Sequence, residues 1–265
     1  MRLQKTIGVL LCLTALVACT SKKNKTETSP KKEISSKAIP LSKAELLAQK
    51  TIEAHGGELY ETAHFSFDFR ENSYQFKNDF NNYEYIKTSN KEKIVTQDLL
   101  KNGQLTRTLN NEVIDLNDKE LKSATGAINS VIYFATLPHK LKDASVLKTY
   151  IGTTTIHDKN YEILGITFQQ EGGGEDFDDQ FHYWINTETH KIDYLAYNYK
   201  VNGGGVRFRS AYNRRVVEGI TFQDYSNYKA ELGTPLKELG ALYEAGKLKE
   251  LSKIETANVV SLSDK

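Results

Sequence analysis

The chain of 265 residues is short of cysteine: it has two, Cys12 and Cys19, both within the first nineteen positions. Everything after Cys19 lacks a thiol, which excludes a disulfide, a cysteine metal site and a cysteine nucleophile there. A protein without disulfides must rely on its core, and the 247 residues from Cys19 onward suffice for one large β-rich domain. A membrane-spanning run is lacking at the N-terminus too. The apolar stretch 7–17 is broken by Gly8, Cys12 and Thr14, and it falls short of the roughly 20 apolar residues that cross a bilayer. The part from Leu41 onward has no basic excess, with 27 basic against 32 acidic residues, a net −5. Nucleic-acid binding, which wants a basic folded surface, is therefore not expected. Catalytic patterns are missing as well. There is no G-x-S-x-G, and the six histidines (55, 64, 139, 157, 182, 190) show neither H-x-x-x-H nor H-E-x-x-H spacing. Gly172–Gly174 and Gly203–Gly205 lack the order of a phosphate loop and read as hairpin turns that need positive φ. A paired-carboxylate hydrolase needs two acids across a cleft, which no spacing here indicates. An enzyme is the least favoured reading, and no cofactor is implied.

What is present begins with Arg2 and Lys5, a short positive region ahead of the apolar stretch, which closes in Leu16-Val17-Ala18-Cys19. Residues 1–18 read as a signal peptide. The closing tetrad resembles the bacterial lipobox. That resemblance implies cleavage before Cys19, acylation of Cys19 and a membrane as partner. An ordinary secretory signal with an incidental cysteine is the alternative. Two or more acyl chains hold a protein stably, whereas one does so only marginally. Residues 19–40 then form a lipidated tether, rich in Lys, Ser and Thr, that buries too little to offset its chain entropy. Six Lys against two Glu give it a net +4. It suits anionic headgroups, or it simply keeps a linker soluble. No acidic stretch follows the cysteine, as it does in some surface-exposed lipoproteins: Thr20-Ser21-Lys22-Lys23 stands there instead. By resemblance the protein is expected in the cell envelope, lipid-anchored to the outer membrane and facing the periplasm.

Residues 41–265 read as a single domain. Ser42-Lys43-Ala44-Glu45 fits a capping box and opens a helix to about His55, which Gly56-Gly57 ends. His55 there reads as a cation at the helix C-terminus. The period then changes from 3.6 to 2. Phe65, Phe67 and Phe69 alternate with Ser66, Asp68 and Arg70, followed by Tyr74 and Phe76, then Tyr83 and Tyr85. Turn signals at Asn81-Asn82, Asn102-Gly103 and Asn110-Asn111 make this an antiparallel meander. A helix is expected over 124–134, ended by Pro138. Strands follow over 146–151, 153–156, 161–168, 181–186, 192–199, 206–212 and 219–222, then a helix over 236–245 and a strand over 258–262. No short internal repeat is present. The expected fold is mainly β with a few α-helices: one strongly curved antiparallel sheet of roughly 10–12 strands, an incomplete barrel capped by helices, since sheets of that size curl or close.

The helix Val131-Ile132-Tyr133-Phe134 with Pro138 after it, the strand–turn–strand Phe181 to Ile192 and the stretch Val217 to Phe222 carry a further resemblance. Together with the aromatic meander they are similar to the lipoprotein-localisation carrier superfamily (LolA, LolB and LppX-like proteins). With Ala54-His55-Gly56-Gly57 they also resemble uncharacterised lipoproteins of Bacteroidota. The superfamily resemblance implies a half-barrel over an apolar cavity that takes acyl chains. The candidate cavity lining is Phe65, Phe67, Phe69, Phe76, Tyr83, Tyr85, Tyr183, Tyr197 and Tyr199, with Tyr74 in the same stripe. The alternative is that these rings fill a packed core and that the protein serves an outer-membrane complex without a ligand. His182 and Trp184 share one strand face, toward cavity or solvent. The acidic stretch with Glu175, Asp176, Asp178 and Asp179 is a weak Ca²⁺ candidate; it lacks EF-hand order and reads equally as a solvated hairpin loop.

Overall fold

The computed structural model describes residues 40–169, 179–200 and 203–263. Cys19 and the acidic Glu175, Asp176 and Asp178 lie outside the described residues.

The first helix, α1 (Lys43–His55), begins as its sequence dictates. The Ser42 side chain accepts from the Glu45 backbone N–H, and the Glu45 carboxylate accepts from that of Ser42. Six strands follow in a meander: β1 (His64–Phe69), β2 (Asn72–Asp79), β3 (Asn82–Lys91), β4 (Ile94–Lys101), β5 (Gln104–Leu109) and the short β6 (Glu112–Ile114). Then comes α2 (Asp118–Ala135), which starts six residues earlier than expected because Asn117 and Glu120 form a second capping box. The strands resume as β7 (Val146–Ile156), β8 (Lys159–Phe168), β9 (Gln180–Asn186), β10 (Ile192–Tyr199), β11 (Gly205–Val217) and β12 (Ile220–Ala230). A 3-10 turn (Leu236–Glu238) leads into α3 (Leu239–Glu244), and β13 (Lys249–Ile254) and β14 (Ala257–Ser261) complete the described chain.

The architecture is an open, mainly antiparallel half-barrel, as expected, but its wall is two sheets rather than one. They run β14-β1-β2-β3-β4-β5-β6 and β13-β12-β11-β10-β9-β8-β7. The fourteen described strands exceed the roughly 10–12 expected, and β13 is among those without a sequence signal: in Lys-Glu-Leu-Ser-Lys-Ile only Ile254 is partly buried, so there is no apolar alternation. The division falls at β13 and β14, which are consecutive in the chain yet pair with different sheets. Between them stand only Glu255 and Thr256. The buried Asp224 of β12 pins that corner. Its Oδ1 accepts from the Thr256 backbone N–H (3.0 Å), the Thr256 hydroxyl (3.2 Å) and Arg215 Nη1 (3.2 Å), and its Oδ2 accepts from Asn213 Nδ2 (2.6 Å).

Both sheets bend. Register shifts interrupt β1, β7, β10 and β11, and an extra residue on one strand raises local twist and curvature. The shift in β7 coincides with Gly152 at φ 146°. It explains why one strand reads in sequence as two.

Helices α1 and α2 lie within the concavity. Ala44, Leu47 and Ala48 of α1 bury against the second sheet, and Ile128 and Ile132 of α2 against the first. The second sheet is covered on its convex face as well, by the 236–248 segment. Among the described residues no helix is long and apolar enough to cross a membrane.

Candidate functional site

Strand register puts the aromatic side chains in rows across the sheets. In the first sheet Phe65 opposes Phe76, Phe76 opposes Tyr85, Tyr85 opposes Leu100 and Leu100 opposes Leu105. Directly opposed side chains share a face, so this row is one apolar band. The Phe65 and Phe76 rings stack with centroids 5.7 Å apart, and Phe67 stacks on Tyr74 at 5.5 Å. Ile128 and Ile132 of α2 lie on this band, and Phe222 of β12 closes on Phe65 at 5.4 Å.

In the second sheet the concave row runs Leu164, Tyr183, Leu195, Arg209, Asn227. Beside it lie Ile166, Phe181 and Tyr197, with the Phe181 and Tyr197 rings 5.4 Å apart. From α2, Phe134 meets Tyr197 at 5.4 Å, and the hydroxyls of Tyr133 and Tyr183 are hydrogen-bonded at 2.8 Å. Thus α2 touches both walls, with Ile128 and Ile132 against the first and Tyr133 and Phe134 against the second. Burial pushes the Tyr133 and Tyr183 phenols well above their ordinary range, so both stay protonated at neutral pH.

The candidate rings do not form one stripe on one sheet. Phe65, Phe67, Phe69, Phe76, Tyr83 and Tyr85 belong to the first wall and Tyr183, Tyr197 and Tyr199 to the second. Phe65, Phe67, Phe76, Tyr85 and Tyr183 are fully covered, whereas Phe69, Tyr83, Tyr197 and Tyr199 are half-buried. Tyr199 stands at the strand end against Arg207 rather than in the wall's centre. Among the described residues, which include Asp179 of the acidic stretch, no group of three His, Cys, Asp or Glu is placed to hold a metal ion.

His182 and Trp184 face neither the concave side nor open solvent. Trp184 is buried on the convex face beneath α3, 5.5 Å from the Phe208 ring. On that face a recess of about 710 Å³ opens between the ends of β9 and β10 and the 232–237 segment, bordered by His182, Asn198 and Leu232. The candidate ring Tyr199 also borders it, and its other lining residues are polar as well as apolar.

One expectation about histidine is corrected, and a second histidine proves to be of the same kind. His55 is not a cation at a helix end. It is buried, its Nδ1 2.9 Å from the Thr51 carbonyl oxygen, and burial together with the charge of Lys191 pushes it down to about 3. His139, stacked on Tyr60 at 4.8 Å, is likewise pushed down to about 3 by burial and by Lys142 and Lys140. Both are neutral rings of the core.

Sequence reasoning puts Tyr133 and Phe134 on a helix but not at the site, and misses Arg209 and Tyr225; all four gather at the second wall. The helix residues were visible as an apolar stripe. Arg209 was not, because Val206-Arg207-Phe208-Arg209 reads as a strand with its arginines in solvent.

The chain is similar to the LolA superfamily protein of Nitrosomonas europaea, at 13% identity and a TM-score of 0.51, over 85% of this chain and 96% of that one. A putative outer membrane lipoprotein-sorting protein domain from Vibrio parahaemolyticus matches at 5% identity and 0.42, over 82% and 94%. Lipoprotein LppX of Mycobacterium tuberculosis matches at 15% and 0.25, over 62% and 91%. No curated protein sequence matches. By its family model, which matches residues 5–256, the chain belongs to the family of unknown function DUF6503.

Proposed function

We propose that the protein is an envelope lipoprotein, anchored through acylated Cys19 to the outer membrane on its periplasmic side, that holds an acyl or similarly apolar ligand against the concave walls of the half-barrel. The observation that carries this reading is the position of α2. It packs into the concavity against both aromatic walls, and partly buried rings (Phe69, Tyr83, Phe134, Tyr197) continue the buried band. Side-chain packing and the Tyr133–Tyr183 bond hold it there, not backbone pairing to a strand. An alkyl chain offers the same kind of surface as the Ile128 and Ile132 side chains and competes for the same area.

The opposing reading is a structural lipoprotein with a filled core. It is favoured by the complete burial of Phe76 and Leu100 of the first wall and of Ile128 of α2 packed on them. A reporter separates the two. Trp184 is the sole tryptophan and lies on the convex face. Phe134→Trp adds a second at the concave rim. On a carrier, a lipid with a brominated acyl chain quenches the added emission at low micromolar concentration and leaves Trp184 largely unquenched. Quenching no greater than that of the parent protein rejects ligand binding. Cys19→Ser is expected to move the protein from the membrane to the soluble fraction of cells, and unchanged fractionation rejects the anchor.

A further inference from the structure

The concave row of the second sheet changes character halfway. After Leu164, Tyr183 and Leu195 come Arg209 and then Asn227 on the adjoining strands, in direct register. Arg209 is only 6% exposed. The Phe134 ring covers its guanidinium face at 3.9 Å, and Tyr197 lies 5.2 Å away. One bond is made in the guanidinium plane, from Nη2 to the Tyr197 hydroxyl at 2.9 Å. Among the described residues, Nε and Nη1 are buried with no partner, and so is the Oδ1 of Asn227 on the adjoining strand.

This is an incomplete site by elementary accounting. A buried guanidinium is ordinarily paired with a carboxylate or fully hydrogen-bonded, and a ring stacked on its face leaves the in-plane N–H groups to be satisfied by something else. Among the described residues, Arg–carboxylate pairs stand elsewhere, as Arg107–Asp98, Arg214–Asp193 and Arg215–Asp224. The missing partner is an acceptor. Arg207, turned to the same face two residues away, is engaged with the Tyr199 hydroxyl and the Val206 carbonyl, so the open N–H groups belong to Arg209; one guanidinium neutralises a monoanion, whereas a phosphate monoester would bring about two charges.

Resting on the carrier reading, we propose that Arg209 is the polar end of that ligand site, and that the ligand is a single-chain carboxylic acid. Its carboxylate accepts from the free guanidinium edge, and its chain runs along Tyr183, Phe181 and Tyr197 beneath the last turn of α2. Asn227 Oδ1 takes a hydrogen from a water held beside the head group.

The test compares hexadecanoic acid with its methyl ester in displacing a fluorescent fatty acid from the purified protein, so that chain length is constant and only the charge differs. The acid is expected to bind at least tenfold more tightly than the ester. Arg209→Met is expected to abolish that preference while keeping ester binding, and Arg209→Lys to retain a part of it. Hexadecyl phosphate is expected to bind more weakly than the acid. Equal affinity of the parent protein for acid and ester overturns the Arg209 proposal but leaves the carrier reading standing. Failure of both to bind overturns both. The comparison on the parent protein decides the matter even where Arg209→Met does not fold.

Discussion

Asp224 binds β11, β12 and the turn at Thr256 through one buried carboxylate. Replacing it by Asn removes a charge-assisted acceptor and leaves the Arg215 guanidinium partly buried without its counter-ion. Breaking such a pair from one side is costly, so Asp224→Asn is expected to lower the unfolding free energy by about 2–4 kcal/mol. A shift of the urea midpoint at constant slope reads this directly. The two core histidines set the acid limb of stability. Each has a folded value near 3, far below the unfolded value of about 6.5. Above pH 6.5 neither state binds the proton, and the full stability is present. As pH falls from 6.5 toward 3 the unfolded chain is protonated and the folded one is not, so stability drops, by about 2 kcal/mol per histidine at pH 5. His55→Asn is expected to flatten that decline between pH 6.5 and 5 in denaturant titrations. An unchanged slope would mean that His55 is already charged in the fold.

At the level of elements, β11 shows what the sequence could and could not say. Alternation across 206–212 identifies a strand but not its facing. Val206 and Phe208 point to the convex side, where the 236–248 segment covers them, so Arg207 and Arg209 are turned inward. A strand with both faces covered carries no solvent face for the pattern to mark. The same cover explains Trp184. By contrast α1 was legible to its capping residues, because Ser42 and Glu45 act locally and need no tertiary partner. The second capping box, Asn117 with Glu120, has the same local logic, but only Leu121 stands between it and the apolar positions that begin at Ala124, so no stripe marks its first turn. The cover over Trp184 depends on close approach. A Cβ added at Gly240 would come within 2.8 Å of Ile156 Cδ1 and 3.1 Å of Trp184 Nε1. Gly240→Ala is therefore expected to cost about 1–3 kcal/mol through overpacking and to shift Trp184 emission to the red as α3 lifts. Emission and stability both unchanged would show that α3 is not tightly seated.

For the molecule as a whole, the curvature and the class of fold could be read from aromatic alternation and turn residues. The division of the wall into two sheets could not. It follows from a two-residue corner and a buried polar cluster formed by residues some thirty to forty positions apart. The aromatic residues that a sequence places in one stripe end up as two walls, and an amphipathic helix touches both. The candidate site was thus half visible: its rings came from period-two alternation, and its inward arginine came from topology. The account's central claim is that the concavity exchanges its helix for an alkyl chain. Native mass spectrometry of the protein purified from its own membranes, without detergent exchange after release, tests it most directly. A bound species of a few hundred daltons that leaves on collisional activation, and that a concave-wall change such as Tyr183→Glu removes without unfolding the protein, is the predicted result. A homogeneous ligand-free mass for the natively extracted protein, unchanged after incubation with fatty acid or monoacylglycerol, would contradict it.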